Sequence, residues 1–334
     1  MKKTLLGMST LAILLAACGN EEASSNASEG NTTNEVNQTE ATSNEANTTE
    51  EEPTELVVEH DLGETTVPTN PEKVVVFDYG VLDTMRELGV DPIAVPQGNI
   101  PSYLNEFESD TYQNAGTLFE PNFEAIFDMD PDLILISGRA AEAYDELSDI
   151  APTVFLGLDT ENYVESFEHN TMLLGEIFGK EEEAAEQLAT IEEEIEALQS
   201  VASGEEGNGL ILLTNEGELS AYGTGSRFGL IHDDFGVGVA DETIDNSTRH
   251  GQNVSFEYVL ETNPDYLFVI DRGAVVSDGG EVDGQATLDN DIVGQTTAAT
   301  EGNVMYLNPE YWYLSSGGLR SVSEMVKEVA SVFE

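Results

Sequence analysis

The chain has 334 residues, 66 of them acidic and 11 basic, for a formal charge of −55 at pH 7. Charge of that sign and size excludes nucleic acid as a partner, because a phosphate backbone would be repelled. A single cysteine, Cys18, excludes an internal disulfide, so the fold must stand on its core alone.

Lys2 and Lys3 precede an apolar run from Leu5 to Ala17 that ends in Leu15-Ala16-Ala17-Cys18. A basic start, a short apolar stretch and small residues at the cut read as a secretory signal over residues 1–17. The run is short for a permanent membrane span. The tetrapeptide resembles the bacterial lipoprotein signal, in which the cysteine is lipidated and becomes the first residue. That resemblance implies Cys18 as the anchor, with the protein held on the extracytoplasmic face of the cell membrane and touching it through the lipid only. The remainder of residues 18–54 is almost entirely Asn, Ser, Thr, Glu, Ala and Gly. Such a segment buries too little surface to offset its ordering entropy. It is expected to be a disordered acidic tether of about 30–35 Å average span.

From residue 55 the chain alternates strand and helix signals, which predicts an α/β fold. Lys73 to Asp78 reads as a buried strand, and Val81 to Leu88 as a helix stopped at Gly89. Two later stretches repeat each other. The first runs Asn122-Phe123-Glu124 through Asp130-Pro131-Asp132 and an apolar strand to Arg139. The second runs Ser255-Phe256-Glu257 through Asn263-Pro264-Asp265 and an apolar strand to Arg272. Every matched pair is 133 positions apart. That is a domain-scale spacing, and it predicts one lobe architecture used twice with an equivalent arginine in each. Asn122 and Ser255 are good N-cap residues, and the continuous apolar strands suit the centre of a parallel sheet.

Between the copies, Tyr163 to Ser200 reads as helical with a break near Gly179. Leu188, Ile191, Ile195 and Leu198 recur at spacings of three and four. The expected organisation is a first lobe over 55–179, an interlobe helix over 180–203 and a second lobe over 204–334. The resulting architecture is two Rossmann-like lobes joined by a single long helix. Because a stiff strut resists hinging, only small closure on ligand binding is expected. Solution-scattering profiles recorded with and without ligand should nearly superimpose, and a large change in radius of gyration would refute the strut.

Only six arginines occur in this acidic chain: Arg86, Arg139, Arg227, Arg249, Arg272 and Arg320. Ligands of open α/β sheets bind beyond the carboxyl ends of the strands, where Arg139 and Arg272 are placed. Gly223 to Ser226, before Arg227 and an expected helix over Phe228–Phe235, resembles a helix N-terminus able to host an anion. No lysine follows the glycines as a phosphate loop requires, which argues against a nucleotide. Three arginines converging on a cleft suit a multiply charged planar anion. The run Tyr311-Trp312-Tyr313 reads either as a pocket wall or as core. His250 with a phenolate oxygen is a plausible iron(III) donor set. His60, His169, His232 and His250 are too scattered for a three-histidine zinc site. Glu124 and Glu257 sit in first helical turns, where the helix dipole favours a carboxylate. They also form a matched pair of anions that could meet a two-fold partner, and spacing does not separate the two readings. No nucleophile elbow, Cys/His dyad or carboxylate pair signals an enzyme.

Taken together, Leu-Ala-Ala-Cys, Glu120 to Glu124, the Asp/Asn-Pro-Asp strands, Gly225 to Asp233 and Pro309 to Leu314 resemble siderophore-binding lipoproteins of iron ABC importers, most nearly the petrobactin and enterobactin type. The resemblance covers residues 55–334. It implies a monomeric binding protein with no intrinsic cofactor, whose cargo is an Fe(III)–siderophore complex of catecholate type. It implies Arg139, Arg227 and Arg272 as a basic triad under that anion. Tyr79, Gln97 and Trp312 are expected beside the ligand, with His250 and Tyr313 able to complete iron coordination. It implies Glu124 and Glu257 as docking points for an ABC permease dimer with its ATPase. Arg249, beside His250, departs from the family pattern. The alternatives are a binder of another iron complex, haem or cobalamin.

Overall fold

The computed structural model describes residues 54–205, 207–245, 249–276 and 284–333. The expected signal over 1–17, Cys18 and the tether up to residue 53 lie outside the described residues. Among the described residues no helix is long and apolar enough to cross a membrane.

The described chain starts with an antiparallel hairpin, β1 (Glu55–His60) and β2 (Gly63–Pro68), which buries Val58 and Val67. A five-stranded sheet follows, built from β3 (Val74–Val76), β4 (Ala94–Val95), β5 (Gln113–Asn114), β6 (Leu133–Ile136) and β7 (Thr153–Phe155). Its order is β5-β4-β3-β6-β7, with every pairing parallel. All residues of β3 and β6 are buried, as continuous apolar runs covered on both faces should be.

The second sheet contains β8 (Asn208–Asn215), β9 (Glu218–Tyr222), β10 (Gly238–Val239), β11 (Gln252–Val254), β12 (Tyr266–Asp271) and β13 (Val304–Leu307). Its order is β11-β9-β8-β12-β13, with β10 pairing β8. β8, β12 and β13 are mutually parallel, whereas β9 runs antiparallel to β8. The reversal is made by Glu216 and Gly217, both at positive φ, in the two-residue hairpin turn that such a pair favours.

The 133-residue repeat is visible atom by atom. Asn122 Oδ1 caps the helix Phe123–Met129 through Ala125 N, and Ser255 Oγ caps Phe256–Thr262 through Tyr258 N. Each helix ends on a left-handed residue, Asp130 or Asn263. Asp132 then accepts from Lys73 N at 2.8 Å, and Asp265 accepts from Asn208 N at 2.9 Å. Each aspartate thereby pins the start of the neighbouring strand in its own sheet.

The helices Tyr163–Phe178 and Glu181–Ala202 meet at Gly179, whose φ of 62° closes the first of them. The second has 22 residues and is about 33 Å long. It buries Ala184, Leu188, Ile191, Ile195, Leu198 and Ala202 against its partner helix and against the last helix, Leu319–Ala330. That last helix follows the second sheet in sequence but packs on the first half as well. Ser321 N donates to Asp83 Oδ2 at 2.8 Å and Leu319 N to Thr84 Oγ1 at 3.3 Å, both on the helix Tyr79–Glu87. The approach is close enough to require Gly80, where an added Cβ would lie 2.5 Å from the Ser316 carbonyl oxygen. The long helix and the returning C-terminal segment therefore both hold the two sheets in one body.

Candidate ligand-binding site

Arg139 lies three residues beyond β6 and Arg272 directly after β12, each at the carboxyl end of a central strand. Arg227 reaches the same place from the turn after β9. All three converge on Tyr313. The Arg227 guanidinium carbon is 4.5 Å from the Tyr313 ring centroid, Arg272 is at 5.7 Å and Arg139 at 5.9 Å. Arg272 Nε donates to the Tyr313 hydroxyl at 2.8 Å, while its Nη1 donates to Asn215 Oδ1 at 2.8 Å. Arg139 and Arg227 both donate to the Tyr313 carbonyl oxygen. Arg227 is also stacked on Phe228 at 4.7 Å.

Electrostatics make this cluster unusual for so acidic a chain. Arg139 has one carboxylate near it, Asp78 at 3.8 Å. That carboxylate is shared, because it also caps the helix Tyr79–Glu87 and accepts from Ser137. Among the described residues Arg227 and Arg272 have no carboxylate within 4.0 Å. Burial, and then the charge of Arg139, pull Arg227 below its ordinary pKa, but a guanidinium stays charged at any physiological pH. Burial of Tyr313 on its own would raise its pKa. The hydrogen bond from Arg272 and the charges of Arg227, Arg272 and Arg139 outweigh that and lower it. A phenol so placed gives up its proton readily to a Lewis-acidic partner.

The aromatic run is sorted by one turn of π-helix over Glu310–Leu314. Tyr313 points into the groove, Tyr311 lies 5.0 Å from Tyr103, and Trp312 turns inward. Trp312 is fully buried, with Nε1 donating to Glu328 at 2.8 Å and its ring edge-on to Phe235. The expectation that Trp312 contacts ligand is therefore corrected: it is core. Tyr79 is corrected likewise. It is fully buried and its hydroxyl donates to the carbonyls of Pro96 and Gly98. Gln97 is half-buried, with its amide donating to the Tyr112 carbonyl, and it lines none of the cavities around the arginines.

Two cavities flank Tyr313. One, of about 200 Å³, includes Asp78, Ser137, Arg139 and Leu158; the other, of about 360 Å³, includes Asn215, Tyr222, His250 and Arg272. Arg227, Arg249 and Tyr313 line both, so the two form one groove. His250 is exposed at its mouth, beside Arg249. The turn expected to host an anion does so internally. The helix there is a single turn, Leu230–Asp233, and Gly225 N already donates to Asp233 Oδ2 at 2.7 Å. Arg227 is what this turn contributes to the groove. Glu124 and Glu257 are exposed in the first turns of their helices, away from the groove lining. Among the described residues no group of three His, Cys, Asp or Glu could hold a metal ion.

Asp78, Asn215 and Phe119 escaped the sequence reading. Asp78 carried a usable signal, an acidic residue between a buried strand and a helix start. Asn215 carried none, because only the fold brings the end of β8 beside Arg272.

Two α/β sheets held in one body by a long helix, with cations from both around an open groove, define a substrate-binding protein of the helix-linked, two-lobed class. The chain belongs to the periplasmic binding protein family, whose model matches residues 74–311. It is 43% identical to the petrobactin-binding protein YclQ of Bacillus subtilis over 97% of this chain and 96% of that protein. The crystal structure of YclQ superposes with a TM-score of 0.81 at 46% identity, covering 84% of this chain and 99% of that one. The catecholate-siderophore binding protein VctP of Vibrio cholerae superposes with a TM-score of 0.80 at 34% identity, covering 83% and 99%.

Proposed function

We propose that this protein captures a ferric siderophore of catecholate type in the groove around Tyr313 and delivers it to an ABC permease for iron uptake. One observation carries the reading. A chain of net charge −55 gathers three guanidinium groups around one phenol and, among the described residues, leaves two of them without a carboxylate within 4.0 Å. Desolvated cations cost free energy unless an anion completes them. An Fe(III) tris-catecholate carries three negative charges and flat rings, which suits guanidinium forks and faces. The names of YclQ and VctP, which bind petrobactin and catecholate siderophores, support the same reading.

The iron is cargo and arrives with its own donors. Tyr313, with its lowered pKa, and His250 at the groove mouth are the side chains able to fill coordination positions that a four-donor siderophore leaves open. Calorimetric titration with ferric tris-catecholate, ferric citrate and a neutral ferric hydroxamate tests the assignment. The trianionic catecholate should bind most tightly; a preference for the neutral hydroxamate would overturn it.

Cys18 is proposed as the lipid anchor that keeps the protein on the outer face of the cell membrane. Glu124 and Glu257, exposed at matched places in the repeat, are proposed to meet basic residues of the permease dimer. The double variant Glu124→Lys, Glu257→Lys should keep its affinity for ferric catecholate yet lose most cellular uptake of the iron. Uptake at the unaltered rate would remove these two residues from the docking surface.

A further inference from the structure

Phe119 is a large apolar side chain left 66% exposed at the rim of the groove. The loop that carries it is not slack. Asn114 Oδ1 accepts from Gly116 N at 2.8 Å, Thr117 N donates to Glu120 O at 3.0 Å, and Asn122 N returns to Ala115 O at 2.8 Å. Thr117 Oγ1 accepts from the backbone N–H groups of Phe119 and Glu120. Gly116 has φ of 113°, and a Cβ there would lie 2.4 Å from the Glu120 carbonyl oxygen. Gln97 N ties the same turn to the end of β4 by donating to Gly116 O. A closed, well-bonded turn therefore holds an aromatic ring out of the core, against the free energy its burial would bring.

The place it is held is informative. Phe119, from the first half of the chain, lines the 360 Å³ cavity that contains Arg227, Arg272, His250 and Tyr313. It also lines an adjoining cavity of about 540 Å³ with Phe123 and Arg139. Arg249, from the second half, lines both of these cavities. It is exposed and has no carboxylate within 4.0 Å among the described residues. An aromatic face and a free cation from opposite halves thus border the same opening.

We propose that Phe119 and Arg249 form a ring-binding subsite for the siderophore, separate from the arginine triad. One aryl ring of the ferric complex stacks on the Phe119 face, and Arg249 bonds the anionic oxygens at that ring's edge. The occupant is an electron-rich, anionic aromatic ring; an apolar ring would not need the cation, and an aliphatic donor would not need the platform. The inference rests on the proposed function and names how a catecholate is selected.

Stopped-flow and equilibrium titration of ferric tris-catecholate into the full chain and its variants tests it. Phe119→Leu keeps apolar area without a π face, and Phe119→Trp keeps the face. Phe119→Leu and Phe119→Ala should each weaken binding roughly tenfold, through faster dissociation, while Phe119→Trp stays near the original affinity. Arg249→Gln should lose affinity comparably. Because both side chains are exposed, thermal midpoints should not move. Binding by Phe119→Leu equal to that of the unaltered chain would overturn the ring platform, and unaltered binding by Arg249→Gln would remove the cation from it. An unaltered chain that binds no ferric catecholate would overturn the functional reading and this inference together.

Discussion

Replacing Arg272 with alanine is expected to weaken ferric catecholate binding by about two to three orders of magnitude, the cost of truncating one member of a desolvated charge pair. Two losses combine. The ligand loses a guanidinium that no carboxylate among the described residues neutralises. Tyr313 also loses the hydrogen bond that Arg272 Nε makes to its hydroxyl, the first of the stabilising contributions that hold its pKa down. With that bond gone, burial pushes the phenol back up and it becomes a poorer iron donor. Arg272→Lys should recover only part of the affinity, because an ammonium supplies charge but cannot hold Tyr313 and Asn215 together in one planar fork. Isothermal titration at constant ionic strength reads the difference. A loss below threefold for the alanine variant would mean that the triad does not hold the ligand.

The second large effect concerns stability. Asp83 is fully buried where the helix Tyr79–Glu87 meets the last helix. Its Oδ2 accepts from Ser321 N, and its Oδ1 has no hydrogen-bond partner among the described residues. Burial pushes this carboxyl up to about 7 from an ordinary 3.8; the Ser321 N–H opposes the rise and the charge of Glu87 adds to it. The folded protein therefore keeps a proton between pH 4 and 7 that the unfolded chain has released. Stability due to this group is present below about pH 4 and is lost as pH rises through 7. Asp83→Asn supplies a side chain of the same shape that stays neutral at every pH, so it escapes the cost of ionising in a buried place. The variant should be more stable than the original chain above pH 7 by on the order of 2–4 kcal/mol, with the gap closing toward pH 4. Denaturant unfolding at pH 4.5, 6 and 8 measures it. Parallel stability profiles for the two chains would show that Asp83 ionises without cost and would refute this account of the interface.

Features set by local chemistry were readable in the sequence, and features set by packing direction were not. The N-caps at Asn122 and Ser255 depend on short-range backbone geometry, so the 133-residue repeat announced both helices and the strands after them. Arg139 and Arg272 followed, because a residue just past a central parallel strand lands at the sheet's carboxyl edge whatever the rest of the fold does. Trp312 was misplaced because neighbouring aromatics in a tight helical turn point in different directions, and Tyr79 because only the fold brings the Pro96 and Gly98 carbonyls to its hydroxyl. Nothing in Tyr311-Trp312-Tyr313 says which ring faces the groove. The turn before Arg227 misled for a related reason: its free amide is met by Asp233, eight residues on, once the chain folds back. Phe119 was invisible because exposure of an apolar side chain is decided by the turn around it.

The central claim is that cations from both sheets hold an iron-bearing polyanion beside Tyr313. Anomalous diffraction at the iron absorption edge, from crystals grown with ferric tris-catecholate, tests it most directly. The account predicts a single iron in the groove, with catecholate oxygens hydrogen-bonded to Arg139, Arg227 and Arg272. Iron located elsewhere, or a ligand in the groove that those three guanidinium groups do not touch, would contradict it.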